Sequence, residues 1–407
     1  MSKIEQLIAE LCPDGVEYFK MWELTTWDKR FNEVENHKQP TINRHRYLLA
    51  KDLRKMVSDN GDIRLLATGN IEDGMTDEGL AGAYLKQGEI VAIPWGGTAR
   101  VKYHKGKYVT ADNRIACVNN PSQLVCKYLY YWMLNRIQEL ESFYRGSGIK
   151  HPSMNKVLHM AVPVPPLPVQ EEIVRILDTF TQLEAELEAE LEARRSQYEY
   201  YRERLFDLDD SNFSFRWMTL GDVGPIRMCK RIFKHETHEN GEVPFFKIGT
   251  FGGKPNAFIS QDLFDEYRHQ YSFPKEGNVL ISAAGTIGKA VLYDGVPAYF
   301  QDSNIVWIEN DERLALDKYL YHFYATSPWI AAHGGTITRL YNDNIRKTRI
   351  PVPPLEEQER IVAILDKFEA LTNDISIGLP AELAMRRQQY EYYRDKLLTF
   401  QERKATA

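Results

Sequence analysis

The sequence has few of the residues that build disulfide frameworks and metal sites. Its 407 residues include four cysteines, Cys12, Cys117, Cys126 and Cys229, which form no CxxC pair and have no clustered histidine partners. We therefore expect no disulfides, no metal site and a location in the reducing cytoplasm. Runs of about 18 apolar residues are missing, as is the basic and then apolar start of a secretory signal, so we expect no membrane segment and no export.

Catalytic motifs are missing as well. Gly285–Ala290 lacks the spacing of a phosphate-binding loop and has alanine in place of the hydroxyl residue that binds magnesium. Val-Pro-Pro-Leu at 164–167 and 352–355 lacks the flanking polar and aromatic residues of an adenine methyltransferase. Pro13-Asp14 begins a nuclease-like pattern, but no Asp/Glu-x-Lys follows nearby. We expect no catalytic residue and no cofactor bound to this chain.

Charge is distributed unevenly along the chain. In total, 51 Lys and Arg stand against 57 Asp and Glu, a net charge of −6. Residues 162–210 hold 5 basic and 13 acidic residues, whereas residues 100–156 hold 10 basic and 3 acidic residues. Segments of opposite sign suggest different partners.

The chain contains an internal repeat. Pro-Val-Pro-Pro-Leu at 163–167 recurs at 351–355, and Gln-Tyr-Glu-Tyr-Tyr-Arg at 197–202 recurs at 389–394. The offset grows from 188 to 192 residues, so the second copy has four extra residues, which is about one helical turn. Weaker matches precede each copy, and the sequences between them differ freely. Similar scaffolds that carry different surfaces are the expected result.

Long helices follow each proline-rich segment. Apolar residues in the first helix recur every three to four positions from 170 to 208, which would give about 58 Å of helix that needs a partner. We expect Gly378 and Pro380 to kink or interrupt the second helix. The predicted seam between the helices consists of Ile173, Leu177, Phe180, Leu187, Leu191, Tyr198, Tyr201, Leu205, Ile361, Leu365, Phe368, Leu383, Tyr390, Tyr393 and Leu397.

The predicted fold class is α+β, with two α/β domains related by an approximate two-fold axis and separated by two long antiparallel coiled-coil helices. The predicted boundaries are 1–161 for the first domain with its N-terminal helix, 162–210 for the central helix, 211–350 for the second domain and 351–407 for the C-terminal helix. A free coiled-coil stalk is the alternative arrangement of the helices.

These features resemble the specificity subunit of type I restriction–modification enzymes over essentially the whole chain. The resemblance is carried by Leu-Cys-Pro-Asp-Gly-Val-Glu-Tyr at 11–18, by the two PxPPL–xxQ–xxIVxILD segments and by the two RRxQYEYYR helices. It implies a non-catalytic reader of double-stranded DNA, in which each variable domain recognises half of a split, asymmetric target. It further implies that the helices set the gap and dock two modification subunits, which bind S-adenosylmethionine and methylate adenine. Restriction subunits that use ATP and Mg²⁺ would join this assembly.

DNA contacts require cations for phosphates and polar side chains for base edges. In the first domain the candidates are Arg100, Lys102, His104, Lys105, Lys107, Arg114, Lys150, His151 and Asn155. In the second domain they are Arg227, Lys230, Arg231, Lys234, Lys289, Asn304, Arg339, Tyr341, Asn342 and Asn344. Gly146–Gly148 and Gly334–Gly335 are either plain turns or loops that approach DNA.

Two other functions remain open from the residues alone. One is a coiled-coil protein–protein scaffold without DNA recognition. The other is an S-adenosylmethionine-dependent enzyme that acts alone, for which the sequence offers no motif.

Overall fold

The computed structural model describes residues 3–69, 74–207, 215–327, 329, 339–374 and 376–403. The chain divides into two compact units, Met1–Glu186 with Leu383–Ala407 (unit 1) and Leu187–Glu382 (unit 2). The chain passes from one unit to the other at 186/187 and at 382/383, and both points lie inside helices. The predicted boundary at 210/211 and the glycines at 334–335 lie outside the described residues.

Unit 1 contains ten strands within its described residues. They are β1 (Glu17–Lys20), β2 (Thr25–Trp27), β3 (Ile63–Leu66), β4 (Met75–Thr76), β5 (Lys86–Pro94), β6 (Lys102–Thr110), β7 (Asn113–Val118), β8 (Tyr144–Arg145), β9 (His151–Pro152) and β10 (Ala161–Val164). The helices are α1 (Lys3–Leu11), α2 (Met21–Leu24), α3 (Ala50–Leu53), α4 (Glu78–Ala81), α5 (Cys126–Asn135), α6 (Ile137–Ser142) and α7 (Met154–Leu158). The main sheet has the order β2-β7-β5-β6-β3-β4.

The next helix, α8 (Leu167–Phe206), continues into unit 2. The strands of unit 2 are β11 (Arg216–Thr219), β12 (Ile226–Arg227), β13 (Val243–Phe246), β14 (Phe258–Ile259), β15 (Val279–Ser282), β16 (Ala290–Leu292), β17 (Tyr299–Phe300), β18 (Ile305–Ile308) and β19 (Arg349–Val352). Its helices are α9 (Leu220–Val223), α10 (Gln261–Gln270), α11 (Asp317–Thr326), α12 (Asn342–Lys347) and α13 (Leu355–Asn373), followed by α14 (Leu379–Leu397). Its two larger sheets have the orders β12-β18-β15-β16 and β14-β13-β17.

Side-chain alternation along one central strand divides each core into two layers, because successive residues of a strand point to opposite faces. On β5, Val91 and Ile93 pack in the cluster that contains α5, whereas Ile90 and Ala92 join a separate cluster. On β15, Ile281 packs with α11, whereas Leu280 faces the other layer. Each unit is thus an α+β domain with a buried central strand.

Gln170 of the repeated PPLxxQ segment is fully buried and satisfies three backbone groups of unit 1. Its Nε2 donates to the carbonyl oxygens of Gln123 (2.8 Å) and Pro165 (2.7 Å), and its Oε1 accepts from the backbone N–H of Val125 (2.8 Å). This side chain fixes the start of α8 against the loop that precedes α5.

Gln358 makes the same set of bonds in unit 2. Its Nε2 donates to the carbonyl oxygens of Leu314 and Pro353, both at 2.9 Å, and its Oε1 accepts from Leu316 N–H at 2.9 Å. The repeat in the sequence therefore encodes a repeated buried clamp.

The segment Cys12–Tyr18 owes its pattern to the C-terminal residues, which pack against it within unit 1. Val16 N–H donates to Gln401 O, and Arg403 N–H donates to Val16 O, both at 2.9 Å. Gly15 has φ of +89°, and a Cβ there would lie 2.4 Å from Gln401 O. Glycine is the residue that this close approach admits.

The two long helical segments form where the sequence predicts them. The predicted interruption of the second helix at Gly378 and Pro380 is confirmed, because α13 ends at Asn373 and α14 begins at Leu379. Pro380 lies in the first turn of α14, where a backbone N–H has no helical partner to lose. None of the described helices is long and apolar enough to cross a membrane.

Several of the predicted seam residues contact one another within each unit. In unit 1 the ring of Phe180 stacks on Tyr393 at 5.6 Å, and Glu184 pairs with Arg387 at 2.6 Å, so these parts of α8 and α14 run antiparallel. In unit 2 the ring of Phe368 stacks on Tyr198 (6.1 Å) and Tyr201 (5.6 Å). Six seam residues also belong to the cores under the helices: Ile173, Leu177 and Leu397 in unit 1, and Tyr198, Ile361 and Leu365 in unit 2.

Candidate nucleic-acid interface

The first group of candidate DNA contacts lies on the β5–β6 hairpin of unit 1. Lys105 faces Glu89 across the hairpin, with Nζ and Oε2 3.1 Å apart. Lys107 forms an ion pair with Glu78, which raises the pKa of the lysine. Lys102 and His104 lie on the same strand, and Arg100 precedes it. The hairpin therefore presents cations whose charges are partly balanced by acids.

A second group forms where two glycine loops of unit 1 meet. The backbone N–H of Gly97 donates to Lys150 O at 2.9 Å, and the ring of His151 packs on Trp95 with centroids 5.2 Å apart. Lys29 Nζ lies 4.6 Å from the centroid of Trp95. The exposed side chain of Ile149 stands beside them. Sequence reasoning found Lys150 and His151 here but missed Lys29 and Trp95.

Gly146 has a structural task in this region. Its φ is +146°, and a Cβ would lie 2.8 Å from Ile149 O, so the Gly146–Gly148 segment makes a tight turn. Asn155 is exposed on the short helix α7 that follows.

Arg114 requires a correction. Its side chain is 1% exposed, with Nη1 2.9 Å from Asp28 Oδ2 and Nη2 hydrogen-bonded to Asp112. Its guanidinium also stacks on Trp95 at 5.0 Å. The predicted DNA contact is wrong for this residue, because two carboxylates hold its charge inside the domain.

A basic cleft in unit 2 brings four of the candidate residues together. It has a volume of about 310 Å³. The candidates that line it are Arg231, Lys234, Asn304 and Arg339, and the other residues lining it include Phe233, Lys247, Asp302 and Ser303. The Phe233 ring is exposed and stacks on His235 at 5.8 Å. An aromatic group beside arginines and a lysine suits contact with nucleic acid.

The remaining candidates of unit 2 lie outside the lining of this cleft. Arg227 pairs with Glu309 at 2.8 Å, and Lys289 Nζ donates to Phe251 O at 2.7 Å. Lys230 lies 4.8 Å from the ring centroid of Tyr271. The last three follow Arg339 in the chain at the start of α12: Tyr341, Asn342 and Asn344.

Two residues that line the cleft, Phe233 and Ser303, were not among the candidates predicted from the sequence. Phe233 is an aromatic residue in a basic stretch, with Arg231 two positions before it and Lys234 directly after it, a pattern that could have been noticed. Ser303 has φ of +60°, which is uncommon outside glycine, and only the structure reveals it.

His322, Asp366 and Glu369 lie close enough in unit 2 to suggest a metal site, beside a cavity of about 580 Å³. Their atoms are already engaged. His322 Nε2 lies 2.9 Å from Asp366 Oδ1, Lys318 Nζ lies 2.5 Å from Asp366 Oδ2, and Tyr321 donates to Glu369 at 2.6 Å. Although burial acts to raise it, the pKa of Asp366 is lowered overall by its bonds to Lys318 and His322.

Unit 1 contains a counterpart of this network without a histidine. Lys127 lies 2.7 Å from Asp178 Oδ2, and Tyr131 donates to Asp178 Oδ1 at 2.6 Å. The shared Lys–Asp pair ties the helix α5 or α11 to the long helix that follows it. The cluster therefore fits a structural network better than a metal centre.

Comparisons with known proteins agree on one family. The model of the type I restriction modification DNA specificity domain matches residues 41–193 and 215–385. A putative type I restriction enzyme specificity subunit of Haemophilus influenzae is 47% identical over 362 residues, covering 86% of this chain and 91% of that protein. The EcoR124I/EcoR124II specificity subunit of Escherichia coli is 34% identical over 304 residues, covering 70% and 73%.

Solved structures share the fold at low sequence identity. The specificity subunit of a Mycoplasma genitalium type I restriction–modification system has a TM-score of 0.56 and 15% identity, with 94% of this chain and 96% of that chain covered. A second chain, from a structure on the assembly and conformational transition of the type I system, has a TM-score of 0.54 and 16% identity, with 95% and 98% covered.

Proposed function

The chain belongs to the family of type I restriction–modification DNA specificity subunits, and from that premise we propose that it reads a two-part, asymmetric DNA target without catalysing a reaction itself. One surface in each unit would read one half of the target. The gap between the halves would be set by the long helices.

The observation that carries this proposal is the contrast between a repeated framework and unlike surfaces. Gln170 and Gln358 clamp their units through equivalent bonds. The surfaces on these frameworks differ, with lysines on a hairpin in unit 1 and an arginine-lined cleft with Phe233 in unit 2. Unlike surfaces read unlike sequences, so the two half-sites should differ.

We further propose that the long helices dock two modification subunits. Residues 162–210 carry a strong acidic excess, which repels phosphates and favours a protein partner. Tyr200 and Tyr392 occupy the same place in the repeat and are 57% and 62% exposed. Large exposed aromatic residues are typical anchors of protein interfaces. A repeated anchor fits two copies of one partner.

The catalytic groups would belong to the partners. S-adenosylmethionine would bind the modification subunits, while ATP and Mg²⁺ would serve restriction subunits that join the complex. We place this assembly in the cytoplasm, a location supported by the four free cysteines.

Mapping methylated adenines in DNA treated with this chain and its modification subunit tests the proposal. We expect methylation at one asymmetric target with a fixed gap, and no turnover by the chain alone with S-adenosylmethionine. Turnover by the isolated chain would contradict the non-catalytic role. Methylation with no defined target would favour the scaffold without DNA recognition.

A further inference from the structure

Two arginines of the cleft in unit 2 are held by one short turn. Arg231 Nε donates to Asp302 Oδ2 at 2.9 Å, and Arg339 Nη2 donates to Asn304 Oδ1 at 2.8 Å. Both acceptors come from the turn between β17 and β18, and all four residues line the cleft. The turn therefore sets the direction of both guanidinium groups.

Backbone bonds fix this turn on the sheet. Gln301 N–H donates to Phe246 O at 2.9 Å, Asn304 N–H donates to Asp302 O at 2.7 Å, and Ala283 N–H donates to Asn304 O at 2.7 Å. The acceptors for the arginines are thus preorganised, and little freedom is lost when a ligand binds.

The carboxylate of Asp302 changes what Arg231 can bind. Asp302 is 15% exposed in its side chain and neutralises the arginine, so the pair offers little net attraction to a phosphate. Hydrogen-bond donors remain, because Nε is the one nitrogen of Arg231 that is engaged in a hydrogen bond among the described residues. A neutral ligand with two adjacent acceptors suits such a fork.

The edge of guanine in the major groove has this pattern. It presents O6 and N7 side by side, and arginine binds the two in a bidentate manner. Lys234 differs, since it lines the same cleft without an acid partner among the described residues and so suits a phosphate.

We propose that Arg231 and Arg339 are specificity-determining residues and that the half-site read by unit 2 contains guanine recognised in the major groove. Asp302 and Asn304 act as positioning residues. The inference rests on the proposed function and adds to it which base unit 2 reads and in which groove of the DNA it does so.

The first experiment maps methylated sites with the complete complex. The wild-type complex is expected to show a G·C pair within the half-site assigned to unit 2. Arg231→Gln and Arg339→Gln should each relax the requirement at one such pair and weaken binding of the cognate duplex by roughly tenfold to a hundredfold. Arg313→Gln is the matched control, because Arg313 pairs with Asp311 on an exposed loop outside the cleft.

Salt dependence separates base contacts from phosphate contacts. Lys234→Gln should reduce the slope of log K against log salt by about one, whereas Arg231→Gln should leave the slope nearly unchanged. Asp302→Asn should weaken cognate binding and raise affinity for unrelated DNA, because it frees the arginine charge. A full unit of slope lost in Arg231→Gln would overturn the base contact.

Modified bases test the wild-type protein, whatever happens to the folding of variants. Replacing the guanine with 7-deazaguanine removes N7 and should weaken binding about tenfold, while inosine keeps O6 and N7 and should be tolerated. Sensitivity to inosine alone, or a half-site without any G·C pair, would overturn the inference. Absence of any two-part target in the wild-type map would instead contradict the proposed function.

Discussion

Single buried side chains hold the framework of each unit. Gln170 and Gln358 show why a polar side chain is fully buried near the start of each long helix, since each satisfies backbone groups of its unit. The repeat in the sequence identified both glutamines. Their role was not predictable, because two of the three bonding partners of each glutamine precede it by more than 40 residues.

Replacing either glutamine should cost about the same stability. Gln170→Ala and Gln358→Ala each remove three hydrogen bonds and leave buried backbone groups without partners, so we expect losses of about 2–4 kcal/mol. Urea unfolding with hydrogen exchange measured in each unit checks this. Gln182→Ala is the control, because the side chain of Gln182 bonds, among the described residues, to Glu186 alone on the exposed face of α8, so the change should alter stability by less than about 0.5 kcal/mol. Equal stability of the glutamine variants and the control would contradict the clamp.

Glu172 should make stability depend on pH in the acid range. Hydrogen bonds from Arg175 and Lys3 lower the pKa of Glu172 from 4.5 to about 2. A lowered pKa in the folded state stabilises the fold above the unfolded value, and this stabilisation disappears as the pH falls through the folded value. Glu172→Gln should therefore be less stable than wild type above pH 4.5, with the difference shrinking towards pH 2.

Thermal unfolding across that pH range measures the effect. The neighbouring Glu171→Gln serves as control, because Glu171 is exposed on the same helix. A difference between Glu172→Gln and wild type that stays constant with pH would show that the ion pairs contribute nothing.

At the candidate DNA interface, the type of a residue predicted its charge correctly but did not predict whether its side chain is exposed. Arg231, Lys234 and Arg339 were chosen as cations and do line one cleft. Arg114 was chosen for the same reason and is buried, because Asp112 and Asp28 supply its counter-charge, and Asp28 lies 86 positions earlier in the chain. Pairing over such a distance leaves no local pattern in the sequence.

At the scale of elements, periodicity predicted helices well and sheets poorly. The first long helix was expected at 170–208 and is found at Leu167–Phe206. The sheet orders were not predictable, because parallel pairs such as β3–β6 join strands that are distant in sequence. Short strands with glycines on both sides carry too little local information to fix their partners.

The repeated tyrosines of the long helices predict how many partners bind. Tyr200 packs edge-on against Tyr201 at 5.5 Å, and Tyr392 packs in the same way against Tyr393 at 5.3 Å. Tyr200→Ser or Tyr392→Ser should weaken one of two modification-subunit sites by about 2 kcal/mol, which leaves a complex with one subunit. Native mass spectrometry reads the stoichiometry. Tyr392→Phe keeps the ring and should retain two subunits, whereas loss of both subunits from a single variant would contradict equivalent sites.

Helix length should control the gap. Leu183–Glu186, Leu187–Glu190 and Leu191–Arg194 form a near repeat of four residues on α8. Deleting Leu187–Glu190 shortens the helix by about 6 Å and removes about 40° beyond one turn, while a leucine still recurs at each block. We expect the gap to change by one or two base pairs, given about 3.4 Å per base pair, with the bases of each half unchanged.

Mapped methylation sites report the gap directly. Ala189→Gln, an exposed change that keeps the helix length, is the matched control. An unaltered gap in the deletion variant would contradict the role of α8 in spacing.

At the scale of the whole molecule, each unit closes with a short pair of antiparallel strands. β1 pairs with β10 in unit 1, and β11 pairs with β19 in unit 2. Gln358 also bonds to Leu314 and Leu316, which lie between β11 and β19. These bonds involve backbone atoms of the two leucines, so they would remain if other side chains stood at those positions. The structure thus offers junctions at which a reading surface can be exchanged without disturbing the clamp.

Exchanging residues 220–348 for the matching segment of another family member should change one half-site and leave the other intact. These junctions lie just inside β11 and β19, and the segment contains the whole lining of the arginine cleft. A donor with tyrosine at position 319 keeps the bond from its hydroxyl to Pro351 O, 2.7 Å long in this chain. The gap should stay the same, because α8, α13 and α14 are untouched.

The reciprocal exchange of residues 21–160, just inside β1 and β10, is the matched test and should change the opposite half-site. Each exchanged protein is combined with the same modification subunits, and methylated adenines are mapped. A change in both half-sites from one exchange would mean that the units share a single reading surface. A change in the gap alone would assign spacing to the domains instead of the helices, because the helices are identical in every protein compared.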